Sequence, residues 1–163
     1  MNDVQIVVTG YRLVGGGIRG FESVLEELIS GAGKEIQVVS YVITGGASRV
    51  LSMLREAAGR GVRVTVIVNS LPELEASVRE LLRAARDDFP DLFRVLSFRD
   101  AREGDIHAKV VVVDRRRALV GSANLSWGGI AGNYEIGVLL EGEPAWQLAI
   151  VVDRLVSICS PGC

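Results

Sequence analysis

The sequence predicts an α/β protein in which helices flank both faces of a mixed, largely parallel β-sheet. Two observations lead to this prediction. Short runs rich in β-branched residues alternate along the chain with segments in which apolar residues recur at helical spacing. In addition, the segment 62–68 is a nearly continuous apolar run. Such a run is typical of a strand that is buried on both faces of a parallel sheet.

Seven segments have the composition and the bounding turn residues of β-strands. The first is a short β-branched run that ends at Gly10, and the second is followed by a turn at Gly45 and Gly46. The fifth and sixth flank a polar turn at 114–116 and are therefore expected to be consecutive in the sheet. The predicted strands are 4–9, 35–43, 62–68, 93–98, 106–113, 117–120 and 134–140.

Four amphipathic segments between these strands have the periodicity of α-helices. The first carries five apolar side chains at helical spacing opposite three glutamates, and Gly31 ends it. Ser48 is placed to cap the second helix, and Pro144 opens the last one. The predicted helices are 21–30, 48–58, 72–86 and 144–156.

Length and composition are those of a small globular protein. The chain has 163 residues, of which 48% are hydrophobic, and only four prolines. Because no linker or low-complexity segment interrupts the pattern, we predict one domain over 1–163. The formal net charge of −2 gives no overall basic field to attract nucleic acid or anionic lipid. A local cationic groove on such a protein is still compatible with that charge.

The cysteines and the first residues indicate the compartment. Cys159 and Cys163 are the only cysteines, and both lie near the end of the sequence. They predict free thiols in a reducing compartment, since two terminal cysteines make no disulfide framework and no zinc site. The opening residues lack the regions of a signal peptide, and no window approaches the roughly 20 apolar residues of a membrane span. We therefore expect a cytoplasmic protein.

A group of polar residues follows in the second half of the chain. His107 is the only histidine. If 106–113 is a strand, the two-residue side-chain period places His107 and Lys109 on the same face. A lone histidine on an apolar strand is usually a core or edge residue, but a lysine is rarely buried without a partner. The pair therefore points to a site rather than to the core.

Further polar groups come at the ends of the next strands. Gly121, Ser122 and Asn124 follow one strand, and Asn133 and Glu135 precede or begin another. The set suits a phosphodiester, because an imidazole can attack phosphorus while ammonium, hydroxyl and amide donors neutralise the equatorial oxygens. A carboxylate bonded to the other imidazole nitrogen would fix the tautomer of the histidine.

These residues carry a specific family resemblance. The segment HAKVVVVD at 107–114, followed by GSAN at 121–124, resembles the HxK(x)4D(x)6GSxN signature of the phospholipase D superfamily, with every required position filled. The segment NYE at 133–135 matches the usual asparagine and acidic residue of that family, and AAGRGVRVTVIV at 57–68 resembles its upstream helix and strand. The resemblance implies the phospholipase D/nuclease fold with one HKD motif per chain.

The resemblance also implies a role for each motif residue. His107 would be the nucleophile or the general acid, and Glu135 would orient it. Lys109, Ser122 and Asn124 would bind the substrate phosphate. Three further motif positions are expected to be structural: Asp114, Gly121 and Asn133.

Two chains are needed for the mechanism that the resemblance implies. Members of the family use two such motifs, so that one histidine attacks phosphorus and the other protonates the leaving oxygen. This chain has one motif and one histidine. The resemblance therefore implies a homodimer with the active site on its two-fold axis, a phosphohistidine intermediate, and no metal or cofactor.

The substrate expected from the resemblance is DNA. Short single-motif chains are similar to the metal-independent endonucleases of the superfamily, and segments 121–129 and 133–140 resemble domains attached to restriction and helicase proteins. The opening VVTG resembles the phospholipase-D-like component of DISARM phage defence, which implies defence-system partner proteins. Two alternatives stay open: a phospholipid-processing enzyme, and a non-catalytic DNA-binding or assembly subunit of a defence or restriction system.

Other features have two interpretations. A cluster of three arginines is more typical of a solvated turn than of a DNA contact; it comprises Arg115, Arg116 and Arg117. Trp127 is interpreted either as a core or dimer-interface aromatic or as a platform for a base. The glycine-rich loop at 13–20 lacks the spacing of a nucleotide-binding motif and is expected to be a flexible turn at the rim of the site.

Overall fold

The computed structural model describes residues 3–98 and 104–161 and contains one sheet of nine strands. The strands lie in the order β2-β1-β8-β7-β6-β3-β4-β5-β9. Their bounds are β1 Asp3–Thr9, β2 Arg19–Gly20, β3 Glu35–Ser40, β4 Arg63–Val68, β5 Phe93–Ser97, β6 Val110–Val113, β7 Arg117–Gly121, β8 Glu135–Glu141 and β9 Ser160–Pro161.

In the described part of the chain, four α-helices connect or follow these strands. They are α1 Phe21–Ser30, α2 Ser48–Gly59, α3 Ala76–Asp88 and α4 Glu143–Ile158. The predicted cap at Ser48 is wrong, because a short 3-10 turn leads into α2 and makes Ser48 its first residue, with Ala47 at the cap position. Among the described residues, no helix has both the length and the apolar character of a membrane span.

The predicted mixed sheet with helices on both faces is confirmed, with a smaller parallel share than expected. Parallel pairing joins β3 to β4, β4 to β5 and β1 to β2. The other neighbouring pairs of the described sheet are antiparallel. The apolar run of β4 correctly indicated a parallel centre. Beyond that centre, the short connection between β6 and β7 and the arrangement of β8 and β1 give antiparallel pairs, which need no crossover helix.

The sheet separates two hydrophobic cores. Helices α1, α2 and α3 pack on one face, and α4 packs on the other. Strand β4 shows the alternation, since Val64, Val66 and Val68 point into the first core and Ile67 into the second. Burying each such side chain contributes about 1.5–3 kcal/mol, so both faces of the central strands stabilise the fold.

The strand predicted over 106–113 is shorter than expected. Strand β6 begins at Val110, and the preceding residues are held by a side chain instead of a ladder. The Asn69 amide donates to Asp105 Oδ1 (3.1 Å), and Asn69 Oδ1 accepts the N–H of Ile106 (2.8 Å). The Asn69 side chain, which follows β4, thus holds the segment that the apolar pattern had predicted to pair with a neighbouring strand.

The turn between β6 and β7 is a tight hairpin turn. Asp114 and Arg115 have positive φ values of 53° and 56°, and the N–H of Arg116 donates to the carbonyl of Val113 (3.0 Å). Two successive positive φ angles are those of a type I′ turn, whose twist matches the flanking strands. Asp is among the non-glycine residues that tolerate this conformation, because its short side chain forms local hydrogen bonds.

The Asp114 carboxylate ties this turn to the loop before β3. It accepts the backbone N–H groups of Gly33 (2.9 Å), Lys34 (2.7 Å) and Glu35 (2.9 Å). Burial by itself raises the pKa of Asp114, but the three N–H donors outweigh this effect and the pKa lies below its ordinary value. The carboxylate therefore fixes the start of β3 against the end of β6.

Two of the three arginines at this turn form ion pairs. Arg115 bonds Glu35 and both carboxylate oxygens of Asp153 (2.8 and 3.0 Å), and it holds the pKa of Asp153 below its usual value. Arg117 bonds Glu27 (2.6 Å) and Glu141 (2.9 Å). These contacts give Arg115 and Arg117 a structural role at this end of the sheet.

The cysteines are described only in part. Cys159 is free, and burial raises the pKa of its thiol. Cys163 lies outside the described residues, and so does the prediction made for it.

We predict that Asp114→Asn lowers the free energy of unfolding by about 1–3 kcal/mol at pH 7, because an amide cannot accept all three N–H groups. Since the folded-state pKa lies below the ordinary 3.8, the stabilisation is present at neutral pH. It is lost as the pH falls from about 5 through the folded-state pKa. Urea denaturation of both proteins at several pH values measures this. A difference that stayed constant down to pH 3 would contradict the assignment.

Candidate active site

The predicted site residues lie at one end of the sheet. His107 and Lys109 precede β6, Ser122 and Asn124 follow β7, and Glu135 begins β8. Strands β6, β7 and β8 are neighbours and antiparallel, so the start of β6, the end of β7 and the start of β8 share an edge. The fold therefore gathers residues that lie far apart in the sequence.

His107 and Lys109 contact each other directly. The Lys109 ammonium lies 3.1 Å from His107 Nδ1 and donates to the His107 carbonyl (2.7 Å). The imidazole is exposed and the lysine half-buried. Burial lowers the pKa of Lys109, and the charge of Glu135 opposes that shift. The prediction that the two side chains lie together is thus met by a segment without regular secondary structure rather than by a strand.

Glu135 is held within its own chain by two donors. The Ser122 hydroxyl donates to one carboxylate oxygen, and the Asn133 amide donates to the other (3.1 Å). Among the hydrogen bonds of the described residues, none joins Glu135 to His107. The predicted orienting contact is therefore not made inside one chain, where Glu135 positions Ser122 and Asn133 instead.

Close approach of β7 and β8 depends on two facing glycines. Gly121 pairs with Gly137, and a Cβ at Gly121 would lie 2.6 Å from the Gly137 Cα. This contact brings Ser122 within reach of the Ile136 N–H, which donates to the serine hydroxyl (3.3 Å). Asn124 Oδ1 is buried and accepts no hydrogen bond from the described residues, so this oxygen does not hold the fold.

Tyr41 is a site residue that the sequence did not reveal. Its ring centroid lies 4.5 Å from that of His107 at an angle of 45°, and the Lys109 ammonium lies 5.5 Å from the same ring. These are aromatic-pair and cation–π distances. A bridge between Ile43 and Leu125 holds the segment beside the site. In the sequence, Tyr41 only stands near the end of an apolar run, which gives no signal of its neighbours.

Other predicted features lie elsewhere or are more exposed than expected. Asp114 is at the opposite end of β6 from His107. Trp127 is 67% exposed, so the interpretation as a core aromatic is wrong, and the dimer-interface and base-stacking interpretations stay open. The loop before β2 is exposed and lies beside the end of β1. Within the described residues, no cluster of three or more His, Cys, Asp or Glu side chains is arranged to hold a metal ion.

Comparison with known proteins relates the chain to one family. Residues 25–153 match the family model described as "Cardiolipin synthase, PLD-like domain". The chain is 31% identical over 156 residues to the DISARM protein DrmC of Bacillus paralicheniformis, covering 95% of this chain and 64% of that protein. It is 30% identical over 93 residues to the 5'-3' exonuclease PLD3 of Bos taurus, covering 56% of this chain and 18% of that protein.

A solved structure shows the same fold. Nuc from Salmonella typhimurium, a phospholipase D family member, superposes with a TM-score of 0.77. The alignment covers 99% of each chain at 18% sequence identity. At this identity the likeness establishes the fold and leaves the chemistry to be argued from the site.

We predict that Tyr41→Ala raises the rate at which diethylpyrocarbonate modifies His107 by roughly two- to tenfold. The ring pair is worth about 0.5–1.5 kcal/mol, and the imidazole becomes freer without it. Because the chain has a single histidine, the absorbance of the modified imidazole reports on this ring alone. Tyr41→Phe is the matched control and should retain the wild-type rate. Equal rates in all three proteins would show that the ring does not restrain His107.

Proposed function

The chain belongs to the phospholipase D superfamily, and from that premise we propose that it is a metal-independent phosphodiesterase that cuts DNA as an endonuclease. The observation that carries the proposal is the site itself, where His107, Lys109, Ser122 and Asn124 present an imidazole, a cation, a hydroxyl and an amide at one edge of the sheet. The similarity to a 5'-3' exonuclease supports nucleic acid as the substrate class. One domain over 1–163 and a cytoplasmic location stay predictions.

The proposed reaction proceeds in two displacements. A nitrogen of His107 attacks phosphorus and forms a P–N bond while the bond to the leaving oxygen breaks. The partner's His107, protonated at the start, gives its proton to that oxygen. It then takes a proton from water, whose oxygen attacks phosphorus and breaks the P–N bond. Because each chain has one histidine, the cycle needs two copies, and neither copy alone has both roles.

The remaining groups stabilise charge and set orientation. Lys109, Ser122 and Asn124 are proposed to donate to the phosphate oxygens as negative charge redistributes. The Ser122 hydroxyl, which has one proton, turns from Glu135 to the phosphate when substrate binds. Lys109 is already beside the attacking ring, 3.1 Å from Nδ1. Within one chain, no hydrogen bond of the described residues joins Glu135 to His107, and the bonds from Ser122 and Asn133 leave each carboxylate oxygen a further lone pair. We therefore assign the orientation of His107 to the partner's Glu135 across the two-fold axis.

An exposed apolar surface beside the site supports the pairing of two copies. We name it the β1–β8 surface, and it is formed by Val4, Ile6 and Ile136, which are 58%, 50% and 63% exposed. The strand register places Ile6 opposite Val138 and Val8 opposite Ile136, so these side chains share one face. Ile136 directly follows Glu135. Because successive residues of a strand point to opposite faces, this surface and the Glu135 side chain share the site end of the sheet but not one face. A second copy that covers the surface at this end would have its own site at the same end of the pair.

Two alternatives have an observation in their favour. The matching family model is described as a cardiolipin synthase domain, which favours a phospholipid-processing enzyme. The similarity to the DISARM protein DrmC favours a non-catalytic DNA-binding or assembly subunit with defence-system partner proteins. The match covers only 64% of the length of DrmC, so about a third of that protein has no counterpart in this chain. Turnover of vesicles, or DNA binding without cleavage, would identify these alternatives.

We predict that the protein cuts labelled single- or double-stranded DNA in excess EDTA and that His107→Ala lowers the rate at least about 10³-fold. The reason is that the variant lacks both the nucleophile and the acid. Gel analysis of the labelled products measures the rates. Cleavage that disappears with EDTA, or that persists in His107→Ala, would contradict the mechanism.

Mixed dimers test whether two histidines share one site. We predict that activity falls as the square of the wild-type fraction when wild type and His107→Ala are unfolded together and refolded. An equal mixture then keeps about one quarter of the wild-type activity, because a dimer with one His107 is inactive. Activity that falls in proportion to the wild-type fraction would show that each chain works alone.

We predict that Ile136→Lys converts the dimer to monomers and lowers cleavage in parallel, because an ammonium in an apolar interface is costly to desolvate. Light scattering after size-exclusion chromatography measures the mass, and the DNA assay measures activity. Leu81→Lys, at an exposed apolar position of α3, is the matched control and should remain dimeric with no loss of cleavage. A dimeric, active Ile136→Lys protein would exclude the β1–β8 surface as the interface.

A further inference from the structure

We propose that a groove between α3 and the edge of β5 binds the phosphate backbone of a polynucleotide on one side of the bond that is cut. The inference rests on the proposed function and names its substrate as a polyanion rather than a lipid. It is carried by a feature outside the motif residues, a row of arginines along a surface groove that continues from the site end of the sheet.

The groove is lined by charged residues of α3 and by uncharged residues of β5. Its volume is about 710 Å³. Arg79, Arg83 and Arg86 of α3 line one side, and Val95 and Ser97 of β5 line the other. The lining also includes the apolar residues Leu71, Leu82 and Pro161.

The arginine row has the spacing of one helix face. Positions 79, 83 and 86 follow the i, i+4, i+7 pattern and therefore lie along one side of α3. At 1.5 Å per residue the row is about 10 Å long. A single phosphate does not extend over this length, whereas successive phosphates of a nucleic acid strand do.

The local charge of the groove is positive although the protein is acidic overall. Arg86 bonds Asp87, its neighbour in α3 outside the lining (2.9 Å). Among the lining residues, Glu80 is the one carboxylate against three guanidinium groups. It pairs with Arg83 at 3.7 Å, with both side chains well exposed. Such a surface pair is worth about 0–1 kcal/mol, so a phosphate can take its place. Guanidinium groups bind phosphate through paired N–H donors, which favours a phosphate ligand here.

One loop connects the groove to the catalytic segment. The N–H of Leu71, in the groove, donates to Ser97 Oγ (3.0 Å). Two residues earlier, Asn69 holds Asp105 and Ile106, directly before His107. The groove and the catalytic histidine are therefore fixed to the same end of β4.

The distance across the sheet separates the groove from the scissile phosphate. Strands β3 and β4 lie between β6, which begins near His107, and β5, which forms the groove. Three strand spacings of about 4.8 Å amount to roughly 14 Å. The phosphate that His107 attacks cannot reach the arginines at that distance. A ligand that contacts both places must carry further phosphates, as a polynucleotide does and a phospholipid diester does not.

The experiment compares two double variants that each remove two positive charges. Arg79→Gln/Arg83→Gln changes the groove. Arg63→Gln/Arg94→Gln is the matched control, with both arginines exposed and outside the groove lining. Each protein is assayed on a labelled single-stranded oligonucleotide at several salt concentrations and on bis(p-nitrophenyl) phosphate, a diester too small to reach the groove.

We expect the groove variant to raise the KM for the oligonucleotide by about tenfold or more, with kcat changed less than twofold. The slope of log KM against log salt should fall by about 1.4, since each lost phosphate contact on a single strand removes about 0.7. Hydrolysis of the small diester should not change, and the control variant should match wild type on both substrates.

The outcomes separate this inference from the proposed function. An unchanged oligonucleotide KM, or an equal loss on the small diester, would overturn the groove assignment. If wild type cuts no oligonucleotide but hydrolyses phosphatidylglycerol vesicles, the nuclease proposal fails. In the His107→Ala background, fluorescence anisotropy then tests the groove alone. Weaker oligonucleotide binding by the groove variant than by the control supports the inference, and equal binding overturns it.

Discussion

The antiparallel pairing of β6 with β3 is the constraint on which the candidate site depends. Because β6 runs opposite to both β3 and β7, its first residues lie beside the last residues of its two neighbours. His107 thereby lies against Tyr41, while Lys109 comes next to the end of β7. Parallel pairing would have placed these groups at opposite edges. The Asp114 carboxylate secures the arrangement from the other end by binding three backbone N–H groups before β3.

The charges of the protein are distributed differently at the two ends of the sheet. At the end that holds Asp114, Arg115 and Arg117 each bond two carboxylates, and their charge is compensated locally. At the site end, Lys109 is half-buried beside an exposed imidazole, and the charge of Glu135 acts on it without a direct bond. The α3 arginines begin near this end and run towards the other, since α3 ends shortly before β5 begins. Although the net charge is −2, the site end of the sheet therefore carries cationic groups that can bind phosphate.

Two independent features support the proposed dimer. They are the single histidine and the exposed β1–β8 surface. A mechanism with a nucleophile and a separate acid needs two imidazoles, and the chain has one. The apolar side chains of Ile6 and Ile136 lie outside the two cores and next to the site. The contacts of Glu135 agree with this view, because the carboxylate is held by Ser122 and Asn133 and leaves the His107 of its own chain to other partners.

The sequence by itself determined the local structure and the chemical identity of the site. Periodicity located the helices and most strands, since side-chain spacing is a local property, and the spacing of His107, Lys109 and Asn124 identified the superfamily. Only the tertiary structure decided the contacts. The start of β6, the Tyr41–His107 pair and the Glu135–Ser122 bond depend on residues brought together by strand pairing. The α3 groove depends on how a helix packs against a sheet edge. Such pairing and packing join segments distant along the chain, and no periodicity within one segment encodes them.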